Sequence, residues 1–197
     1  PDSGGDDQET MKDCLKLRLQ AEAVGRIIRK SAGNRHGGED ALIIREFDSH
    51  PNVMRKEDPN WKFALGASPV TEGSILRLVD EAGHEGFGYA SATPHMGAIA
   101  ATLEAELAYF KPHVIGKDGD HIEAIGAALD RAMRGAPQAK AAVDCALHDM
   151  LARRLNVPLC QLFGGQMRDQ IPILRILAIK SPDEMATQAK KLVDQGY

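Results

Sequence analysis

Residues 141–165 read AAVDCALHDMLARRLNVPLCQLFGG and follow the spacing of an amphipathic helix. Apolar side chains recur every three or four residues, as on the buried face of a helix, at positions 139, 143, 147, 150 or 151, and 155. The residue before a proline disfavours the helical conformation, so the helix is expected to end before Val157–Pro158. We place a domain boundary beyond it, near Gly164 to Gln170.

Two more helices are predicted upstream of this one. The same spacing marks the first at positions 99, 103, 107 and 110, and the second at positions 122, 125, 129 and 133. Strand candidates precede both at Ala41–Phe47, Ser74–Val79 and Glu85–Ala90, and the last two are joined by a short turn that ends in Gly83. Strands followed by helices are typical of an α+β domain, here a three-stranded antiparallel meander plus helices.

A long loop is predicted between the first two strands, over Asn52 to Thr71. It contains Phe63 and Trp61, and Trp61 is the single tryptophan of the chain. Loops of this length in a compact domain are either disordered or functional. Two aromatic side chains on a loop pack either onto their own domain or over a ligand pocket, and the residues leave both alternatives open.

The last part of the chain has an alternating strand and helix pattern. Residues Ile171–Ile179 (IPILRILAI) are apolar at nearly every position, which is typical of a parallel strand buried on both faces. Ser181, Pro182 and Glu184 then form a helix start signal, and Gly196 lies where a left-handed helix end is expected. A buried parallel strand needs neighbours on both edges, so we expect this chain to be the front part of a longer protein.

Composition and charge argue against some kinds of partner. The net charge of −4 gives no reason to expect nucleic acid or an anionic membrane, and no apolar run reaches the roughly 20 residues that span a bilayer. Cys14, Cys145 and Cys160 have neither paired nor metal-type spacing, so we expect reduced thiols in a cytoplasmic protein. Residues 1–40 form a separate N-terminal arm, whose acidic first ten residues are expected to be disordered.

Two local patterns that look like binding sites have simpler explanations. Gly83, Gly86 and Gly88 have the spacing G-x-x-G-x-G, which differs from the dinucleotide-binding fingerprint, so we interpret them as glycines of a hairpin. Asp144 and His148 lie one helical turn apart, as a pair of metal ligands would. A catalytic metal needs a third ligand, so a structural pair is favoured.

The stretch at residues 141–165 resembles the third-helix and domain-junction signature of the mandelate racemase and muconate lactonizing enzyme group of the enolase superfamily. That signature has an Asp-x-Ala-Leu-x-Asp core on an alanine-rich helix, a small-apolar-Pro turn and then Leu-Leu-Gly-Gly. The matching residues here are Asp144, Ala146, Leu147, Asp149, Val157, Pro158, Leu162, Gly164 and Gly165, with Phe163 in place of the second leucine. The upstream order of strand, long loop, hairpin and helices also agrees, so the resemblance covers about residues 41–197.

The resemblance implies a capping domain over residues 41–168, followed over residues 169–197 by the first βα unit of a truncated (β/α) barrel. It implies a Mg²⁺-dependent racemase, epimerase, cycloisomerase or acid-sugar dehydratase that removes the proton alpha to the carboxylate of a small substrate. The metal ligands and Lys-x-Lys bases of the group have no matching positions in this sequence, so no catalytic or metal-ligating residue is assigned. A homo-oligomer is also expected.

The resemblance further implies which residues face the substrate. In this group two loops of the capping domain select the substrate. They correspond here to Asp58–Gly66, with Trp61, Lys62 and Phe63, and to Tyr89–Met96, with Ser91, Thr93 and His95. Lys180 follows the first barrel strand, on the face of a barrel where its chemistry lies. For His95 and Lys180 a solvated side chain is the alternative interpretation.

Two hypotheses about function follow. In the first, the chain is the N-terminal part of an isomerase or lyase, and the 197 residues alone show no turnover. In the second, it is a non-catalytic capping module that serves binding or assembly. The coding sequence after Tyr197 distinguishes them, because the enzyme needs Lys-x-Lys and three spaced acidic residues there.

Overall fold

The computed structural model describes residues 42–197, so the predictions for the N-terminal arm and for Cys14 lie outside the described residues. The strands are β1 (Ile44–Arg55), β2 (Lys62–Phe63), β3 (Gly66–Ala67), β4 (Val70–Asp80) and β5 (Glu85–Ala92). The helices are α1 (Ala100–Val114), α2 (Ile122–Ala132), α3 (Pro137–Leu155), α4 (Leu159–Leu162) and α5 (Pro182–Asp194), and a 3₁₀ turn at Pro94–Met96 precedes α1.

The predicted meander is confirmed. Strands β1, β4 and β5 form an antiparallel sheet with β4 in its centre. The turn between β4 and β5 is stabilised by Asp80, whose buried carboxylate accepts hydrogen bonds of 2.9 Å from the amides of Ala82 and His84. Gly83 in this turn has a φ of 85°, a left-handed conformation that favours glycine.

Helices α1, α2 and α3 cover one face of this sheet, and the apolar spacing correctly predicted all three. The core lies between the two layers. Its members that are at most 2% exposed include Phe47, Leu76 and Leu78 from the sheet, and Leu103, Leu107, Phe110, Leu129, Val143 and Leu147 from the helices. Each fully buried leucine or phenylalanine contributes about 1.5–3 kcal/mol of transfer free energy. This layer therefore provides a rigid support for the loops that leave the sheet.

Glycines let β5 and α3 approach each other closely. A Cβ atom built on Gly86 would overlap the carbonyl oxygen of Ala146, and one built on Gly88 would overlap the carbonyl oxygen of Ala142. Both carbonyls belong to α3, so the backbones themselves are in contact. The interpretation of these glycines as hairpin glycines without a phosphate-binding role is consistent with this packing.

The loop predicted over residues 52–71 is shorter at both ends than expected and contains a short hairpin. Strand β1 continues to Arg55, β4 begins at Val70, and the short hairpin β2–β3 lies between them. Pro51 and Asn52 are residue types that strands usually avoid, and they obscured the strand in the sequence. Because β1 is an edge strand, the missing N–H of Pro51 is tolerated, and this residue pairs with Ser74.

The prediction that Ile171–Ile179 forms a buried strand is wrong for the chain as described. These residues pair with no strand of the described chain, and Leu174 is 82% exposed, whereas Ala178 is fully buried. A strand requires a partner for its backbone groups. The segment's backbone hydrogen bond to the rest of the described chain runs from the amide of Ile179 to the carbonyl of Lys62, at 2.8 Å. The first βα unit of a barrel therefore stays a prediction.

The helix that follows this segment begins and ends as predicted. The hydroxyl of Ser181 donates to the carboxylate of Glu184 at 2.6 Å, and the amide of Glu184 donates back to that hydroxyl. Gly196 has a φ of 93° just beyond the last turn of α5. Among the helices of residues 42–197, none has the length and apolar character needed to cross a membrane.

Candidate functional site

The chain between β1 and β4, residues 56–69, is a folded hairpin loop. The carboxylate of Asp58 accepts a hydrogen bond of 2.9 Å from the amide of Asn60. The amide of Ser68 donates to the carbonyl of Trp61 at 2.8 Å, which closes the hairpin. The ammonium of Lys56 donates to the Ser68 hydroxyl at 2.9 Å and lies 5.1 Å from the centre of the Trp61 ring. These contacts hold the indole in one position.

The hairpin loop is attached to the segment before α5. The ammonium of Lys180 lies 2.7 Å from the carboxylate of Asp58. The hydrogen bond from Lys180 and the backbone amide of Asn60 hold the pKa of the Asp58 carboxyl below its usual value. The same hydrogen bond to Asp58 raises the pKa of Lys180. Both groups therefore stay charged throughout the neutral pH range.

A cleft of about 630 Å³ lies between the hairpin loop and α5. Its volume falls in the range of sites that hold small ligands. The side chains that line it come from the hairpin loop, from the segment 175–180 and from α5 and the residue after it: Lys56, Glu57, Asp58, Pro59, Trp61, Arg175, Ile176, Lys180, Gln188, Lys191, Leu192 and Gln195. Two of the predicted site residues, Trp61 and Lys180, are among them.

Four other predicted site residues lie at a second position, where β5 ends. The rings of Phe63 and His95 are 6.0 Å apart between their centres and are tilted by 57°. The hydroxyl of Thr93 donates to that of Ser91 at 3.2 Å. His95 is exposed in the 3₁₀ turn, whereas the other three side chains are half-buried. This second group therefore presents an imidazole and two hydroxyls beside an aromatic ring.

The predicted site residues are thus divided between two places. Trp61 lines the cleft, and Phe63, two residues later, contacts His95. Lys62 lies between them with an exposed side chain, and its backbone carbonyl accepts the hydrogen bond from Ile179. The aromatic pair therefore does not act as one unit.

Sequence reasoning missed several side chains of the cleft. Lys56 and Asp58 were overlooked because charged residues on a loop are usually solvated. Arg175 and Lys191 lie more than a hundred residues further along the chain, and nothing in their local sequence indicates that they approach the hairpin loop. All four side chains line the same cleft as Trp61.

Asp144 and His148, the pair on α3, contact each other within the helix. The ring of His148 bonds to the backbone carbonyl of Asp144 at 2.9 Å and lies 5.2 Å from the ring of Phe163. The carboxylate of Asp149 accepts from the amide of Phe87 and from Arg153. Across residues 42–197, no group of three His, Cys, Asp or Glu side chains is placed to hold a metal ion. These described residues therefore do not fit a metal site.

The architecture defines the class of protein. A three-stranded meander covered by three helices, with a hairpin loop projecting from it, is an α+β domain of the capping type. The family model described as "Mandelate racemase / muconate lactonizing enzyme, N-terminal domain" matches residues 50–164. The chain belongs to this family, and the resemblance seen in the α3 sequence is confirmed.

Two curated relatives have sequences similar to this chain. The N-succinyl-L-Arg/Lys racemase of Bacillus cereus is 31% identical over 125 residues, which is 62% of this chain and 34% of the relative. The L-Ala-D/L-Glu epimerase of Clostridium acetobutylicum is 34% identical over 159 residues, which is 79% of this chain and 44% of the relative. The chain therefore spans less than half the length of either relative.

A solved structure of a related enzyme has a fold similar to that of this chain. The dipeptide epimerase from Enterococcus faecalis V583, complexed with Mg and the dipeptide L-Leu-L-Tyr, matches with a TM-score of 0.74 at 27% sequence identity. The match covers 79% of this chain and 44% of the epimerase chain. The similarity to known proteins thus extends well beyond the short signature on α3.

Proposed function

We propose that this chain is the capping part of a longer isomerase or lyase, and that this enzyme racemises or epimerises a small carboxylate. Cycloisomerisation and dehydration of such a substrate are the alternative reactions. The observation that supports it is the family match over residues 50–164, together with relatives that are a racemase and an epimerase. The cleft beside Trp61 supports a role for this chain in substrate binding.

The chemistry explains why such an enzyme needs more than a capping domain. A proton alpha to a carboxylate is a weak acid, because its removal places additional negative charge on a group that is already anionic. A divalent metal ion such as Mg²⁺ stabilises that charge when it is bound. Since the described residues do not fit a metal site, the proposal assigns them substrate binding and the exclusion of water.

Each group of site residues has a separate task in this proposal. Trp61 forms one wall of the cleft, and the ion pair between Asp58 and Lys180 holds the hairpin loop in place. The ring of Phe63 shields a neighbouring position, where the imidazole of His95 offers polar contacts. Excluding water strengthens the electrostatic interactions that stabilise an anionic intermediate.

The test uses a longer protein that joins these residues to a (β/α) barrel. It is incubated in D₂O with dipeptides and N-acyl amino acids, and NMR follows the loss of the alpha-proton signal with Mg²⁺ and with a chelator. Exchange that requires Mg²⁺ is expected for at least one carboxylate. A protein that exchanges no alpha proton and isomerises none of these substrates would contradict the proposal.

A further inference from the structure

The 3₁₀ turn that carries His95 is stabilised by hydrogen bonds within itself. The amide of Met96 donates to the carbonyl of Thr93 at 2.8 Å, and the amide of Gly97 donates to the carbonyl of Pro94 at 3.0 Å. These bonds join residues three positions apart, so they fix the shape of the turn. They do not fix where the turn lies on the domain.

A side chain of α3 connects this turn to the helical layer. The amide Nε2 of Gln138 donates to the carbonyl of Met96 at 3.3 Å, across 42 positions of sequence. Gln138 is half-buried in the first turn of α3. Among residues 42–197, no other hydrogen bond joins the 3₁₀ turn to α3. Gln138 therefore restrains the turn relative to α3.

The backbone of Gln138 belongs to a firmly held part of α3. Ala139, the next residue, is fully buried in the core. The ammonium of Lys140 donates to the carbonyl of Met133 at 2.7 Å and lies 2.8 Å from the carboxylate of Asp130. These contacts attach the first turn of α3 to the end of α2. The side chain of Gln138 therefore reaches the 3₁₀ turn from a fixed point.

The imidazole of His95 is restrained from two sides. On one side, its ring centre lies 6.0 Å from that of Phe63, which belongs to the hairpin loop. On the other side, Gln138 holds the carbonyl of Met96, the residue that follows His95. A binding side chain keeps its orientation when the residues that support it are themselves packed and hydrogen-bonded. Without the bond from Gln138, the contact with Phe63 is the remaining side-chain restraint.

We propose that Gln138 is a positioning residue, which places the imidazole of His95 by holding the carbonyl of Met96. In this role Gln138 acts through the turn, and His95 makes the contact with the substrate. That contact rests on the proposed function. The effect of Gln138 on the turn rests on the hydrogen bond alone.

Amide hydrogen exchange of the 197-residue chain, followed by NMR at neutral pH, tests the effect on the turn. Gln138→Met and Gln138→Glu both remove the donor and keep the length of the side chain. The amides of Met96 and Gly97 should exchange about two- to fivefold faster in both variants, because one hydrogen bond of modest strength is lost. NMR resolves the rate of each amide separately.

Two comparisons separate this role from a general loss of stability. Gln138→Glu adds a carboxylate to the first turn of α3, which favours the helix, so a purely structural role predicts no faster exchange for it. Tyr109→Phe is the matched control, because it removes a hydroxyl that donates to the carbonyl of Ala132 at 3.2 Å. It should leave the amides of the 3₁₀ turn unchanged. Far-UV circular dichroism verifies that each variant keeps its helices.

The longer protein tests the effect on the reaction. Gln138→Met should raise KM about two- to fivefold and change kcat less, because a misplaced imidazole weakens the binding of the substrate. Tyr109→Phe should leave both constants unchanged. Gln138→Met is used here because it adds no charge that would repel a carboxylate substrate.

Several outcomes would overturn the proposal. Unchanged exchange of the turn amides in both Gln138 variants would show that the bond does not hold the turn. Equal acceleration in Tyr109→Phe would assign the effect to the whole domain, and an unchanged KM in an active longer protein would show that the turn places no binding group. A failed proposed function is distinguishable, because the longer protein then shows no alpha-proton exchange while the turn amides still respond to Gln138→Met.

Discussion

The carboxylate of Asp58 lies 2.7 Å from the ammonium of Lys180, and this ion pair joins the hairpin loop to the segment before α5. The amide of Ile179 donates to the carbonyl of Lys62 beside it. Both contacts connect the same two parts of the chain. The position of Trp61 relative to α5 therefore depends on whether these contacts are made.

The first prediction concerns pH. The carboxyl of Asp58 has a lower pKa in the folded chain than its usual pKa of 3.8. Its ion pair therefore stabilises the attached loop above pH 3.8, and this stabilisation is lost as the pH falls through the pKa of the folded state. The amine of Lys180 has a higher pKa in the folded chain than its usual pKa of 10.5. Its contribution therefore stabilises the attached loop below pH 10.5 and is lost as the pH rises through the pKa of the folded state. Trp61 fluorescence should therefore be constant between pH 3.8 and 10.5 and change outside that window.

Asp58→Asn should remove the acid transition of this signal, because the amide has no proton to gain. Asp194→Asn is the control, since Asp194 pairs with Lys190 on an exposed surface of α5 and should leave the transition in place. An acid transition in the unchanged chain with a midpoint above 3.8 would contradict the assigned direction of the Asp58 pKa.

The second prediction concerns the contact between β5 and α3. Gly88→Ala should lower the free energy of unfolding by about 1–3 kcal/mol, because the new Cβ would overlap the carbonyl of Ala142. Gly126→Ala is the matched control, since Gly126 lies inside α2 and a Cβ there meets nothing within 4 Å. It should raise the free energy of unfolding by up to about 1 kcal/mol. Urea denaturation measures both, and equal effects would refute the close approach.

The third prediction concerns the ring contact at the end of β5. In the longer protein, Phe63→Ala should raise KM about two- to tenfold, because the variant loses the contact with His95 and the shielding of the adjacent position. Leu65→Ala removes apolar surface from the same hairpin at a side chain that is 68% exposed, so it should leave KM unchanged. Steady-state kinetics compares the two, and equal increases in KM would assign the effect to the hairpin as a whole.

The fourth prediction concerns the chain on its own. The 197 residues should show no alpha-proton exchange with or without Mg²⁺, because the described part holds no group of side chains suited to a metal ion. NMR in D₂O measures the exchange against an enzyme-free blank. Metal-dependent exchange by the purified chain would show that the reacting groups lie within these 197 residues.

Much of the fold follows from local patterns along the chain. The spacing of Leu103, Leu107 and Phe110 predicts α1, since one face of a helix must be apolar to join the core. Ser181 and Glu184 mark the start of α5, because these two side chains satisfy the free backbone groups of the helix that they begin. These features depend on residues within a few positions of one another, so the amino-acid sequence alone is sufficient to predict them.

The site required contacts between distant parts of the chain. Nothing near Asp58 indicates that its partner is Lys180, and nothing near Lys191 indicates that it lines the same cleft as Trp61. Electrostatic and apolar contacts depend on distance in space and not along the chain. The same reason explains why the buried strand predicted at Ile171–Ile179 is not observed. Its composition is that of a strand, but a strand exists where another chain segment accepts its backbone hydrogen bonds, and composition does not supply that partner.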